Sequence, residues 1–183
     1  MKRSRAGLLI MDACVVIDFL ESDRTVIRLI SETVGQVHVP LPILREEIAQ
    51  LGEEHWADLG IVAVEPSLET ATAAASRRAG LSFYDHLCLL IARDKGWTCV
   101  TNDGHLRRQC AAEDVPVIWG LETVALLVDA GALKRKAAAE IGQAIQQVNP
   151  RYITPAILTA YLERIGAATT TGPRRPPRHK SDS

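Results

Sequence analysis

Residues 8–131 alternate between two hydrophobic patterns: short continuous apolar runs, and longer stretches interrupted by polar positions at helical spacing. The runs predict strands over 8–11, 37–39, 61–64, 97–101 and 117–118. The spaced stretches predict helices over 15–20 and 25–33, one from Pro42 through Leu51, and an Ala-rich one over 67–79. Three more follow: from Ser82 to about 95, over 104–112 and over 121–129. The punctuation agrees, since Pro42 suits a first helical turn, Ser82 an N-cap, and Gly80, Gly96 and Gly131 the ends of helices. Strand–helix alternation of this kind predicts an α/β domain with a central, mostly parallel sheet. Beyond it, Ile141, Ala144, Ile145 and Val148 recur at i, i+3, i+4, i+7, an amphipathic helix that stops before Pro150. Thr154-Pro155 opens another, through about 165. Residues 167–183 are rich in Thr, Pro and Arg without apolar period, and read as a flexible basic tail. The expected division is a domain over 8–131, a helical extension over 132–166, and that tail.

Composition fits one packed domain. The chain has 183 residues, 47% hydrophobic and 23% charged, which excludes disordered, collagenous and disulfide-scaffold classes. Aromatics at 4% argue against a module that stacks bases on rows of Phe and Tyr. Four cysteines, at 14, 88, 99 and 110, form no Cys-x-x-Cys pair, and Cys14 and Cys88 lie in apolar runs, so reduced thiols are expected. The apolar run after the basic N-terminus is too short for a signal peptide or a membrane span, so the expected location is cytoplasmic. Charge is uneven. Residues 1–133 hold 12 Lys/Arg against 19 Asp/Glu, and residues 134–183 hold 9 against 3.

The candidate chemistry lies among the acids. Asp12 directly follows the first strand, Asp103 follows the fourth after one intervening residue, and Asp85 occupies the first turn of the helix leading into that strand. Crossover helices in a parallel sheet start near its carboxyl edge, where open α/β sheets place their sites. Glu46 and Glu47, on the helix after the second strand, start from the same edge. Taken singly, each Asp has an ordinary reading as a helix cap or first-turn acid. Four carboxylates at one edge repel each other and call for a cation. Hard oxygen ligands suit Mg²⁺ or Mn²⁺, pointing to a phosphoryl-transfer centre.

Three segments carry a family likeness: Met11-Asp12-Ala13-Cys14-Val15-Val16-Ile17-Asp18, Ser82-Phe83-Tyr84-Asp85-His86-Leu87, and Val100-Thr101-Asn102-Asp103-Gly104-His105-Leu106. Together, over residues 8–131, they resemble the PIN-domain ribonucleases, and most of all the VapC-like toxins of bacterial toxin–antitoxin pairs. The resemblance implies a three-layer α/β/α fold and a Mg²⁺- or Mn²⁺-dependent endoribonuclease that leaves a 5′-phosphate and a 3′-hydroxyl. Its metal and catalytic residues, matched motif by motif, are Asp12, Asp85, Asp103 and a glutamate. Glu47 precedes Ile48 as the family's Glu-Leu pattern expects, whereas Glu46 fits the spacing from Pro40; Glu47 is favoured. The implied partners are an RNA substrate and an antitoxin protein, with a homodimer open and no membrane. Cys14 departs from the Ser, Thr or Asn more common there, and a thiol is a poor donor to a metal-bound carboxylate. Thr101 and Asn102 are candidate supports for the cluster.

Other features weigh less. Asp18 reads as solvated or ion-paired, with a place in the outer shell of the site as the alternative, and His86 and His105 read as solvated neighbours of the site acids. No His or Cys spacing matches a zinc site. Arg77-Arg78 and Arg107-Arg108 read as solvated faces, although they are the best candidates in the body for RNA phosphates. The basic end reads as an accessory or partner-binding segment outside the chemistry. A rival reading keeps the PIN fold as a protein-interaction module with little hydrolysis. A haloacid-dehalogenase-type phosphatase is weaker, since Asp12-Ala13-Cys14 lacks the second acid of its Asp-x-Asp.

Overall fold

The computed structural model describes residues 7–76 and 80–167. Five strands form one sheet: β1 (Gly7–Met11), β2 (Gly35–Pro40), β3 (Ile61–Val64), β4 (Thr98–Val100) and β5 (Val117–Ile118). Their spatial order is β3-β2-β1-β4-β5, and every pairing is parallel. The central strand is apolar through Leu9, Ile10 and Met11, each at most 3% exposed, as a parallel strand covered on both faces must be.

Helices cover both faces, giving three layers. On one side lie α1 (Ala13–Ser22), α2 (Thr25–Thr33) and α6 (Gly120–Asp129), which contact one another through α2. On the other lie α3 (Leu68–Ala75), α4 (Phe83–Lys95) and α5 (Gly104–Ala112), packed in series. The mostly parallel α/β/α architecture expected from the sequence is therefore present, and the sheet is parallel throughout.

Local signals account for most ends. Ser82 and Asp85 form a reciprocal capping box at the start of α4, and Gly96 closes that helix in the left-handed conformation, φ 66°. Two expected helices are shorter. The segment after Pro42 makes only a π-helical turn, Ile43–Glu47, and a 3₁₀ turn follows at Glu53–His55. Ile48 leaves the helical region, and the Trp56 indole donates to the Leu51 carbonyl, tying the chain into a turn where a helix was expected. The Ala-rich helix spans Leu68–Ala75, with Ser76 already extended. Its expected last residues, 77–79, lie outside the described residues, as does the tail beyond 167.

The extension folds as α7 (Arg135–Val148) and α8 (Pro155–Arg164). Ala138, Ile141 and Ile145 on α7, with Tyr161 and Leu162 on α8, join the same buried cluster as the sheet. α7 packs on α1 and α6, adding a further helical layer on that side. Among the described residues no helix is long and apolar enough to cross a membrane.

Candidate active site at the sheet switch point

The chain winds outward from β1 through β2 to β3, then returns past β1 to β4. The strand order therefore reverses between β1 and β4, and the crevice beyond their carboxyl ends is where open α/β sheets bind ligands. Met11 pairs with Val100, so Asp12 and Thr101 leave the sheet side by side. The Asp12 amide continues the ladder to the Val100 carbonyl at 3.0 Å.

Asp12 stands at the N-cap of α1, yet its side chain makes no capping hydrogen bond. Its Oδ2 instead accepts from the Thr101 hydroxyl at 2.9 Å and the Cys14 thiol at 3.0 Å. The residue is 4% exposed, and neither donor is cationic. Burial, with the Asp85 charge adding to it, pushes its pKa up to about 6 against the opposing effect of these hydrogen bonds. Burial and the same carboxylate hold the Cys14 thiol well above its ordinary range, so it stays protonated and can donate.

Asp103 lies across Thr101. Its backbone N–H donates to the Thr101 hydroxyl at 3.0 Å, while its Oδ1 caps α5 by accepting from His105 and Leu106 at 2.7 and 2.9 Å. Asp85 caps α4, its Oδ2 accepting from the Ser82 amide and hydroxyl at 3.1 and 2.7 Å. The capping roles expected of these two acids are thus real, but each cap uses one carboxylate oxygen.

Glu46 and Glu47 are both exposed. Glu46 accepts from the Tyr84 hydroxyl, whose pKa that bond raises to about 12, and so is tied to the residue preceding Asp85. Glu47 makes no hydrogen bond to Asp12, Asp85 or Asp103. Among the described residues no three His, Cys, Asp or Glu side chains converge as a ready-made metal site. The donor set nevertheless suits a hard divalent ion in kind: carboxylate oxygens, with a buried one lacking any cationic partner.

Several sequence readings are corrected. Asp18 is not solvated but 3% exposed, and burial raises its pKa. Its oxygens accept from the Asn102 and Asn149 amides, each at 2.8 Å. Asn102 Oδ1 in turn accepts from the Gly120 amide at 3.0 Å, and a Cβ at Gly120 would stand 3.0 Å from Val15 Cγ1 and 3.2 Å from that oxygen, so a larger residue must push these neighbours back by a few tenths of an ångström. His86 is buried against α3, Nδ1 lying 3.2 Å from the Ala74 carbonyl oxygen. Arg107 stacks on Trp119, 4.0 Å from the ring centroid, with burial lowering its pKa; Arg108 remains exposed. Arg77 and Arg78 lie outside the described residues.

The basic extension is also closer to the acids than its composition suggested. Asn149, at the end of α7, reaches Asp18, and burial together with the Asp103 charge raises the pKa of Tyr152. Sequence reasoning passed over both. Their only signal was position just past an amphipathic helix. The four cysteines are free, with Cys88, Cys99 and Cys110 buried. Comparison with family models, with curated proteins and with solved structures found no match.

Proposed function

We propose that this chain is a Mg²⁺- or Mn²⁺-dependent endoribonuclease of PIN type, acting as the toxin of a toxin–antitoxin pair. The observation that supports it best is the pair of acids at the switch point. Asp12 and Asp103 follow adjacent strands, meet at the Thr101 hydroxyl through the Asp12 carboxylate and the Asp103 backbone N–H, and include a buried carboxylate with neutral partners only. Asp12, Asp85 and Asp103, with Glu47 from the neighbouring turn, are the residues that would hold the metal. A divalent ion held there would supply a Lewis acid able to activate water and offset the charge of an RNA phosphodiester. Thr101 fixes the Asp12 carboxylate and the backbone entering α5, so the two acids keep one spacing. Metal charge at this edge also reconciles an acidic body with a polyanionic substrate.

The test is cleavage of structured and unstructured RNAs with Mg²⁺, Mn²⁺ or chelator. Asp12→Asn, Asp103→Asn and Glu47→Gln should each abolish metal-supported cleavage, while Glu46→Gln, whose amide oxygen can still accept from Tyr84, should retain it. Unchanged cleavage in Asp12→Asn and Asp103→Asn sinks the mechanism. The lack of a ready-made metal group among the described residues favours the second reading, a PIN-fold protein-interaction module with weak hydrolysis. Calorimetric titration with Mn²⁺ separates the two, since a module without a metal site takes up none at millimolar concentration.

A further inference from the structure

Asp18 is a buried carboxylate that packing alone does not require. It lies on α1, and both side chains that donate to it are neutral amides. A buried charged network of this kind adds little stability over well-packed apolar groups. What a carboxylate does supply is direction, because it can only accept.

Asn102 feels that direction. Its Nδ2 donates to Asp18 Oδ2 at 2.8 Å, while its Oδ1 accepts from the amide of Gly120, the first residue of α6, at 3.0 Å. Turning the side-chain amide over would set oxygen against carboxylate and NH₂ against N–H, so one orientation survives. Asn102 is itself buried and stands between the two residues that organise the acids. On one side the Thr101 hydroxyl donates to Asp12; on the other Asp103 donates its N–H back to that hydroxyl. Holding both ends of the Asn102 side chain therefore fixes the loop that carries Asp103 and steadies Asp12.

The other Asp18 oxygen is satisfied from the extension, where Asn149 Nδ2 donates to Oδ1 at 2.8 Å. Asn149 has little freedom of its own. Its N–H donates to the Ile145 carbonyl at 2.8 Å, and its carbonyl accepts at 3.0 Å from the amide of Ile153, a fully buried residue. We infer that Asn149, acting through Asp18 and Asn102, is a positioning residue for Asp12 and Asp103, so that the helical extension is part of the metal-binding machinery. This rests on the metal-binding reading of those acids above and gives the extension a role in it. Coupling is reciprocal: whatever the Asn149 contact contributes to ion binding, a bound ion returns to the contact.

The experiment uses the full chain with Mn²⁺ as the probe, at a temperature where circular dichroism shows each variant folded. Asn149→Ala should weaken Mn²⁺ binding in calorimetry by roughly five-fold or more, and lower kcat with KM for RNA little changed. Asn149→Asp sets two carboxylates face to face and should be at least as poor. Combining it with Asp18→Asn restores both bonds, since the amide now at 18 donates to 149 and accepts from Asn102. Mn²⁺ affinity of that pair should return to within about two-fold of the parent. The parent alone provides another reading: saturating Mn²⁺ should slow amide hydrogen exchange over residues 145–149. Parent-like Mn²⁺ affinity in folded Asn149→Ala makes the contact merely structural and overturns the assignment. So does exchange at 145–149 that is indifferent to Mn²⁺, or a folded pair that stays as poor as Asn149→Asp. A parent that binds Mn²⁺ but cleaves no RNA overturns the nuclease reading alone, with affinity and exchange still deciding the role of Asn149. A parent that takes up no Mn²⁺ overturns both.

Discussion

The Thr101 hydroxyl donates to Asp12 and, through its lone pair, receives the backbone N–H of Asp103. One oxygen therefore couples the loop after β1 to the loop after β4. Thr101→Val keeps the shape and removes both bonds, leaving a buried carboxylate short of a donor and an amide short of an acceptor. The expected cost is about 1–3 kcal/mol in urea unfolding, with Thr101→Ser recovering most of it.

Asp12 gives the metal-free protein a characteristic pH dependence. With its pKa raised from 3.8 to about 6, the folded chain holds a proton that the unfolded chain has released between those values. Stability must then fall as pH rises from about 4 to about 6 and level off above, by up to about 3 kcal/mol from this residue. Asp18, also raised by burial, adds in the same direction. Unfolding in chelator across this range should show the fall in the parent and a smaller one in Asp12→Asn, which should also be the more stable protein at pH 7. Parallel pH profiles for the two proteins would disprove the assignment.

Cys14 is the weak donor at Asp12. Cys14→Ser supplies a hydroxyl in its place, which stabilises the ionised carboxylate more strongly and brings its pKa down. The expected result is tighter Mn²⁺ binding by calorimetry, several-fold at fixed pH. Under the nuclease reading, cleavage at pH 6 should rise by a similar factor, and weaker binding than the parent would refute the argument.

Asn149 and Asp18 should prove energetically coupled. Removing Asn149 leaves one oxygen of a buried carboxylate without its amide, so Asn149→Ala and Asp18→Ala should each cost about 1–3 kcal/mol. The double variant should cost less than the sum, with a coupling of roughly 0.5–3 kcal/mol in a double-mutant cycle. Additive losses would mean that the 2.8 Å contact carries no net energy.

What the sequence made legible follows the range of the physical signal. α2 and α5 begin and end where spacing and caps placed them, and α4 was readable from Ser82, Asp85 and Gly96, because capping is settled within a few residues. Asp12 and Asp103 could be set at one sheet edge, since parallel strands followed by helices leave little choice of direction. The turn after Pro42 escaped because the Trp56–Leu51 bond, not helix propensity, decides its path. Asp18 and His86 were misread as solvated for a different reason. A polar residue on an amphipathic helix looks the same whether water or a distant amide satisfies it. The partner of Asp18, Asn149, becomes visible only when α7 is laid across α1.

That last contact joins residues 131 positions apart in the chain. Seen from the ribosome, Asp18 is made early and its second amide late. The sheet strands and α1 are all synthesised before α7 exists, so the nascent domain must carry Asp18 without this second amide until α7 has been made. Closing so long a loop is also among the slower steps a small fold can contain. The Asn149 bond thus forms only after the whole sheet has been made, and Asp18 reaches its final surroundings only once α7 is in place.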